Sequence, residues 1–153
     1  MRRGLVVGNW KMNGTREIVR VLLGDILAGL QQALRADVGV CVPFVLIPDA
    51  AAMLAGSSVL LGAQNVADHD EGGPYTGEVA ASMLREFGCR LAIVGHTERR
   101  VLYGESNEMV AARYLKALEH GLQPILCVGE TLEQRKAGET FRAIDDDAPR
   151  RSV

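Results

Sequence analysis

Gly95 to Arg100 reads GHTERR and follows directly on the apolar run RLAIV, so a histidine, an acid and two arginines stand on one short turn. Lys11 occupies a comparable place, in GNWKMNG, just past the apolar run LVVGN. An imidazole moves protons or donates a hydrogen bond to a carbonyl, and a lysine offers fixed positive charge to an oxyanion or a phosphate. Each residue also has a plain reading: Lys11 as solvated surface, His96 as a cap on a turn, and Glu98, Arg99 and Arg100 as a structural ion-pair network. Beside His96, the balance for Lys11 shifts from plain surface toward a place in a site. Thr97 is the expected N-cap of a helix opening here, whose positive end disfavours imidazolium and leaves His96 neutral and able to donate. Glu98 and Glu130 are the carboxylates nearest these turns.

These side chains need a frame that repeats, and the chain has one. The runs LVVGN, VGVCV, VLLGA, LAIVG and PILCV are short, rich in Val, Ile and Leu, and do not alternate with polar residues. They read as parallel strands buried on both faces. Helical patterns lie between them: Ile18, Leu22, Ile26, Leu30 and Leu34 behind an N-cap at Thr15, then Val79, Met83 and Phe87, then Val110, Tyr114 and Leu118. The two later helices end on Gly88 and Gly121, suited to a left-handed cap, and pass at once into a strand. Strand and helix in alternation give right-handed βαβ crossovers, hence an open doubly wound sheet or a barrel. Asn9, Lys11, Gln64, Asn65, His96, Glu98 and Glu130 all follow strands, at the carboxyl rim where α/β proteins carry their sites. The long connection NVADHDEGGPYTGE is expected to be a functional or interface loop.

Composition excludes several classes. A net charge of −2 with both signs spread along 153 residues gives no basic field for nucleic acid. Three cysteines, at 41, 89 and 127, are an odd number without metal-ligand spacing, so neither a disulfide framework nor a zinc site is expected and a reducing cytoplasm fits. No run reaches membrane-spanning length, and the N-terminal stretch is too interrupted for a signal sequence. No phosphate-binding glycine loop or nucleophile elbow is present. His69 and His120 read as solvated surface, and Cys127 as a small buried apolar side chain.

Taken in order, GNWKMNG (8–14), GAQN (62–65), YTGE (75–78), GHTERR (95–100), GES (104–106) and CVGET (127–131) resemble the triosephosphate isomerases. The resemblance implies a TIM (β/α)8 barrel, usually a homodimer, that interconverts dihydroxyacetone phosphate and glyceraldehyde 3-phosphate in glycolysis and gluconeogenesis without cofactor or metal. It implies substrate contacts at Asn9 and Lys11, an electrophile at His96 and a supporting acid at Glu98. Gln64, Asn65, Tyr75, Thr76, Gly77 and Glu78 then belong to a dimer interface, with Thr76 steadying Lys11 and Asn9 of a neighbouring subunit. Thr97 stands where that family usually has serine, and Pro74 where it has a small residue. The family's catalytic base is a glutamate in a segment resembling Tyr-Glu-Pro-Val-Trp, and these 153 residues contain nothing similar. The expectation is therefore a partial barrel of about five β/α units over residues 1–142 and a divergent, disordered tail over 143–153. Such a chain is expected to lack useful isomerase activity alone and to be molten or associated. A second reading of the same residues is a non-catalytic assembly module, whose 65–78 loop and basic rim hold a partner subunit or a small anion.

Overall fold

The computed structural model describes residues 3–30 and 35–148. Its strands are β1 (Gly4–Asn9), β2 (Ala36–Val42), β3 (Leu60–Ala63), β4 (Leu91–Val94) and β5 (Gln123–Leu126). All neighbours pair in parallel, in the order β1-β2-β3-β4-β5. Sequential order without a switch point distinguishes a curling half-barrel from the doubly wound alternative. The helices are α1 (Arg16–Gly29), α2 (Ile47–Leu54), α3 (Ala81–Glu86), α4 (Thr97–Tyr103), α5 (Asn107–Glu119), α6 (Leu132–Lys136) and α7 (Thr140–Asp147). Among the described residues no helix is long and apolar enough to cross a membrane.

All five apolar runs form strands, but burial on both faces holds only at the centre. Every residue of β4 is buried, whereas β1 alternates exposed and half-buried and Val6 is exposed. An edge strand has a neighbour on one side only, so half of its surface keeps its water. Close approach in the centre depends on glycine: a Cβ on Gly62 would lie 2.5 Å from Cys41 Sγ and 2.8 Å from Leu91 Cβ.

The helix stripes need correction. Thr15 caps α1 as expected, its hydroxyl accepting from Ile18 N, yet the residues α1 buries are Val19 and Leu23, while Ile18 and Leu22 are exposed. Leu22, Ile26 and Leu30 instead line an apolar groove of about 470 Å³ beside Val6, Trp10 and Val38, and Leu34 lies outside the described residues. Met83 and Phe87 are likewise exposed, α3 burying Ala81 and Leu84, and α5 buries Val110, Arg113 and Ala117 while Leu118 is exposed. Gly88 and Gly121 do take left-handed φ, 81° and 72°. Residues 143–147, placed by the sequence in a disordered tail, continue α7, where Ala143 is buried. Residues 149–153 of that tail lie outside the described residues.

Candidate active site

Lys11 is the one non-glycine among the described residues with positive φ, 52°. A left-handed lysine costs about 1–2 kcal/mol and persists only where neighbours fix it. Asn9 Oδ1 accepts from Lys11 N at 2.9 Å, and Gln64 Nε2 donates to Lys11 O at 2.8 Å and to Cys41 O at 3.0 Å. The ends of β1, β2 and β3 are thereby tied around one residue. From this left-handed backbone the Lys11 side chain reaches α4, where Nζ donates to Glu98 Oε1 at 2.5 Å.

His96, not Thr97, caps α4. Its φ and ψ of −55° and 138° are non-helical, and its Nδ1 accepts from Glu98 N at 3.2 Å. A hydrogen-bond acceptor at Nδ1 carries no proton, so a neutral ring has its proton on Nε2, facing away from the helix. Glu98 Oε2 lies 3.6 Å from the same Nδ1. Lys11 and His96, distant in sequence, thus converge on Glu98. The hydrogen bond from Lys11, together with the charge of its ammonium group, holds the Glu98 carboxyl below the usual glutamate range. A carboxylate held ionised by a cation is a weak proton acceptor, which argues against Glu98 as a general base.

The other expected residues are engaged elsewhere. Glu130 pairs with Arg135 at 3.1 Å and accepts from Thr140 Oγ1 at 3.4 Å. Glu98, Arg99 and Arg100 do not form a mutual network. Arg99 pairs with Glu105, and Arg100 reaches Gly95 O, Asn107 and Asp147. Gln64 and Asn65, expected at a subunit interface, have partners inside the chain: Gln64 supports Lys11, and Asn65 Oδ1 accepts from Arg113 Nη1 at 2.7 Å. Thr76 and Gly77 are exposed, and Glu78 lies 3.9 Å from Arg113. The loop bearing them is shaped by a stack of His69 on Tyr75, with ring centroids 3.9 Å apart. It is fastened to α5 through Asp70, which meets His120 Nε2 and Lys116 Nζ, each at 2.9 Å. Both histidines read as solvated surface therefore have partners, and Cys127 is half-buried rather than buried.

Sequence reasoning missed the buried polar centre under this rim. Glu105 and Arg113, 5% and 4% exposed, pair at 2.8 Å, with Arg99 and Asn65 on either side. The available signal was a charged residue between Val110 and Ala117 on the buried face of α5.

The family model of triosephosphate isomerase matches residues 4–150. This chain belongs to the triosephosphate isomerase family. It is 65% identical over 144 residues to the triosephosphate isomerase of Methylococcus capsulatus, covering 94% of this chain and 57% of that protein. The isomerase of Herminiimonas arsenicoxydans is 53% identical over the same shares. Among solved structures, the isomerase of Bartonella henselae superposes with a TM-score of 0.87 at 40% identity, covering 99% of this chain and 64% of that one. The chain thus spans a little over half the length of the relatives it matches.

Proposed function

We propose that this chain carries the carbonyl-polarising half of a triosephosphate isomerase site, acting in the cytoplasm on dihydroxyacetone phosphate and glyceraldehyde 3-phosphate. The convergence of Lys11 and His96 on Glu98 supports the reading. When a base removes the proton beside the carbonyl, the C–H electron pair becomes a C=C bond and the carbonyl oxygen takes up negative charge. His96 Nε2–H and Lys11 Nζ are the donors that meet this oxygen, and Lys11 also faces the phosphate dianion. Asn9 keeps Lys11 in place through its backbone N–H. Transfer of the hydroxyl proton from the other enediolate oxygen to the former carbonyl oxygen, with return of the first proton to the neighbouring carbon, completes the isomerisation.

The base itself is the half that these residues do not offer. Glu98 is held ionised by Lys11, Glu130 is turned to Arg135, and a displacement of about 1 Å costs on the order of 10² in rate. The 65–78 loop serves as the contact with a second subunit, and Thr76 supports the neighbour's Lys11. The test is turnover of the purified chain made in a host without its own isomerase, alone and mixed with a polypeptide covering the remainder of the Methylococcus capsulatus relative. The expected result is no turnover alone and turnover in the mixture, lost again with Lys11→Met or His96→Gln. Near-normal turnover by the chain alone, or a mixture indifferent to both substitutions, overturns the proposal.

A further inference from the structure

Three observations place Arg100 in control of His96. Its side-chain Nε donates to Gly95 O at 2.8 Å, which fixes the peptide plane entering His96. The plane leaving His96 is held by the first turn of α4, where the backbone N of Arg99 at 2.8 Å and of Arg100 at 3.1 Å both donate to His96 O. The Arg100 guanidinium therefore holds the one peptide beside His96 that the helix itself does not. The grip acts on a backbone with little slack, because Gly95 is left-handed at φ 66° and a Cβ there would meet Val110 Cγ1 at 2.7 Å.

Arg100 is itself held. Nη1 donates to Asn107 Oδ1 at 2.5 Å and lies 3.4 Å from Asp147 Oδ1, Nη2 donates to Asp147 O at 3.3 Å, and the side chain is 14% exposed. Asn107 Nδ2 donates to Asp146 O, and Asp147 Oδ2 accepts from Gly129 N. The guanidinium fork thus joins the turn after β4, the start of α5, the turn after β5 and the end of α7. Lysine has neither the planar fork nor the reach to serve four such acceptors.

We propose that Arg100 is the positioning residue of His96, and that α7, through Asp147, sets the orientation of Arg100. The proposal rests on the assignment of His96 as electrophile, and it makes the Nε2–H tautomer of His96 a property maintained from the C-terminal helix. With the turn fixed, Glu98 N points at Nδ1 and the proton stays on Nε2. With the turn free, that hydrogen bond is intermittent and the ring samples both tautomers.

The test uses imidazole 15N signals of the full chain, which separate the two tautomers without any measurement of activity. The unsubstituted chain is expected to show His96 as Nε2–H. In Arg100→Gln, and equally in Arg100→Lys, the ratio of Nε2–H to Nδ1–H falls about tenfold, the order expected when one charge-assisted hydrogen bond is lost. Asn107→Ala combined with Asp147→Ala keeps Arg100 but frees its guanidinium, and shifts the ratio the same way by less. His69 and His120 are internal references and stay unchanged. An unaltered His96 ratio in a folded Arg100→Gln chain, judged by amide dispersion, overturns the proposal. If Arg100→Gln does not fold, an unaltered ratio in the double variant overturns it. An Nδ1–H ring in the unsubstituted chain instead sinks the electrophile assignment, so the two failures are distinguishable.

Discussion

Replacing Glu105 by alanine leaves Arg113, whose side chain is 5% exposed, with Asn65 Oδ1 at 2.7 Å and Glu78 at 3.9 Å as its remaining acceptors. Arg99, 31% exposed, loses its partner too but recovers water. Breaking a buried ion pair from one side costs about 3–5 kcal/mol, because the survivor stays desolvated. That is a large share of the roughly 5–15 kcal/mol that holds a domain together. The exposed pair Lys11–Glu98, with side chains 52% and 46% accessible, sets the contrast: both partners return to water when it is lost, so its removal is expected to move the urea midpoint far less. Urea unfolding followed by the fluorescence of Trp10, the single tryptophan, which packs against the core, measures both. The decisive variant is Glu105→Leu with Arg113→Met. Removing both charges in similar volume is often neutral or stabilising relative to the pair, so it is expected to recover most of the stability that either single change loses. Glu105 Oε2 and Arg113 Nε, buried and without a hydrogen-bond partner among the described residues, strengthen that expectation. Additive losses in the double variant, or a loss below about 1 kcal/mol for Glu105→Ala, refute the reasoning.

Burial pushes Cys41 up to about 12 and Cys89 up to about 11, so at pH 8 their thiolate fractions are on the order of 10⁻⁴ and 10⁻³; a disulfide exchange reagent is expected to label half-buried Cys127 first. The carboxyls of Glu98, held down chiefly by Lys11, and of Asp70, held down chiefly by His120, have folded-state values below their ordinary 4.5 and 3.8. Their stability contribution is therefore present above those values and lost as pH falls through the folded ones, so Glu98→Gln and Asp70→Asn are each expected to flatten the acid side of a Tm profile. Gly56 and Gly95 both have positive φ, but only Gly95 is crowded. Gly95→Ala is expected to exceed Gly56→Ala by about 1–3 kcal/mol in urea unfolding, the cost of overpacking. In hydrogen exchange, the amides that pair β1 with β2 are expected to exchange well before those of β4, and equal protection would count against the edge-strand account.

How far the sequence reveals this molecule depends on whether a property is local. The strands were legible because burial between neighbours demands continuous Val, Ile and Leu, and Thr15, Gly88 and Gly121 because caps are set by the chain within a few residues. The stripe from Ile18 to Leu34 misled because a strict four-residue step advances about 40° beyond each full turn, and over four steps winds about 160° round the helix. It starts on exposed Ile18 and passes through the groove residues Leu22 and Ile26, whereas Val19 and Leu23 are fully buried in the core. His96 displaced Thr97 as the cap because its ring nitrogen reaches the N–H two residues on, which a residue-type preference for hydroxyls does not anticipate. The pairing of Arg99 with Glu105, and of Arg100 with Asp147, depends on where α5 and α7 return to the rim, and spacing within GHTERR carries no trace of it.

The two halves of the proposed donor set differ in how firmly the fold holds them. His96 follows β4, a strand buried along its whole length, and its turn is gripped by Arg100. Lys11 follows β1, the edge strand, whose exposed Val6 borders the apolar groove that Leu22 and Ile26 also line. A flexible lysine on an edge would gain little from a hydrogen bond to one carboxylate, since both partners of an exposed pair return to water when it is lost. The left-handed backbone of Lys11 changes this balance: Gln64, reaching from the end of β3 to Lys11 O and Cys41 O, makes the direction of the lysine a property of three strands rather than of one. The two proposed donors are therefore located through the sheet, Lys11 by the tie among β1, β2 and β3 and His96 by the end of buried β4, and the exposed ion pair to Glu98 only adds a contact between them. A site assembled this way retains its electrostatics only while the first three strands stay in register, which makes the packing at the free side of β1 a condition for the chemistry proposed at the rim.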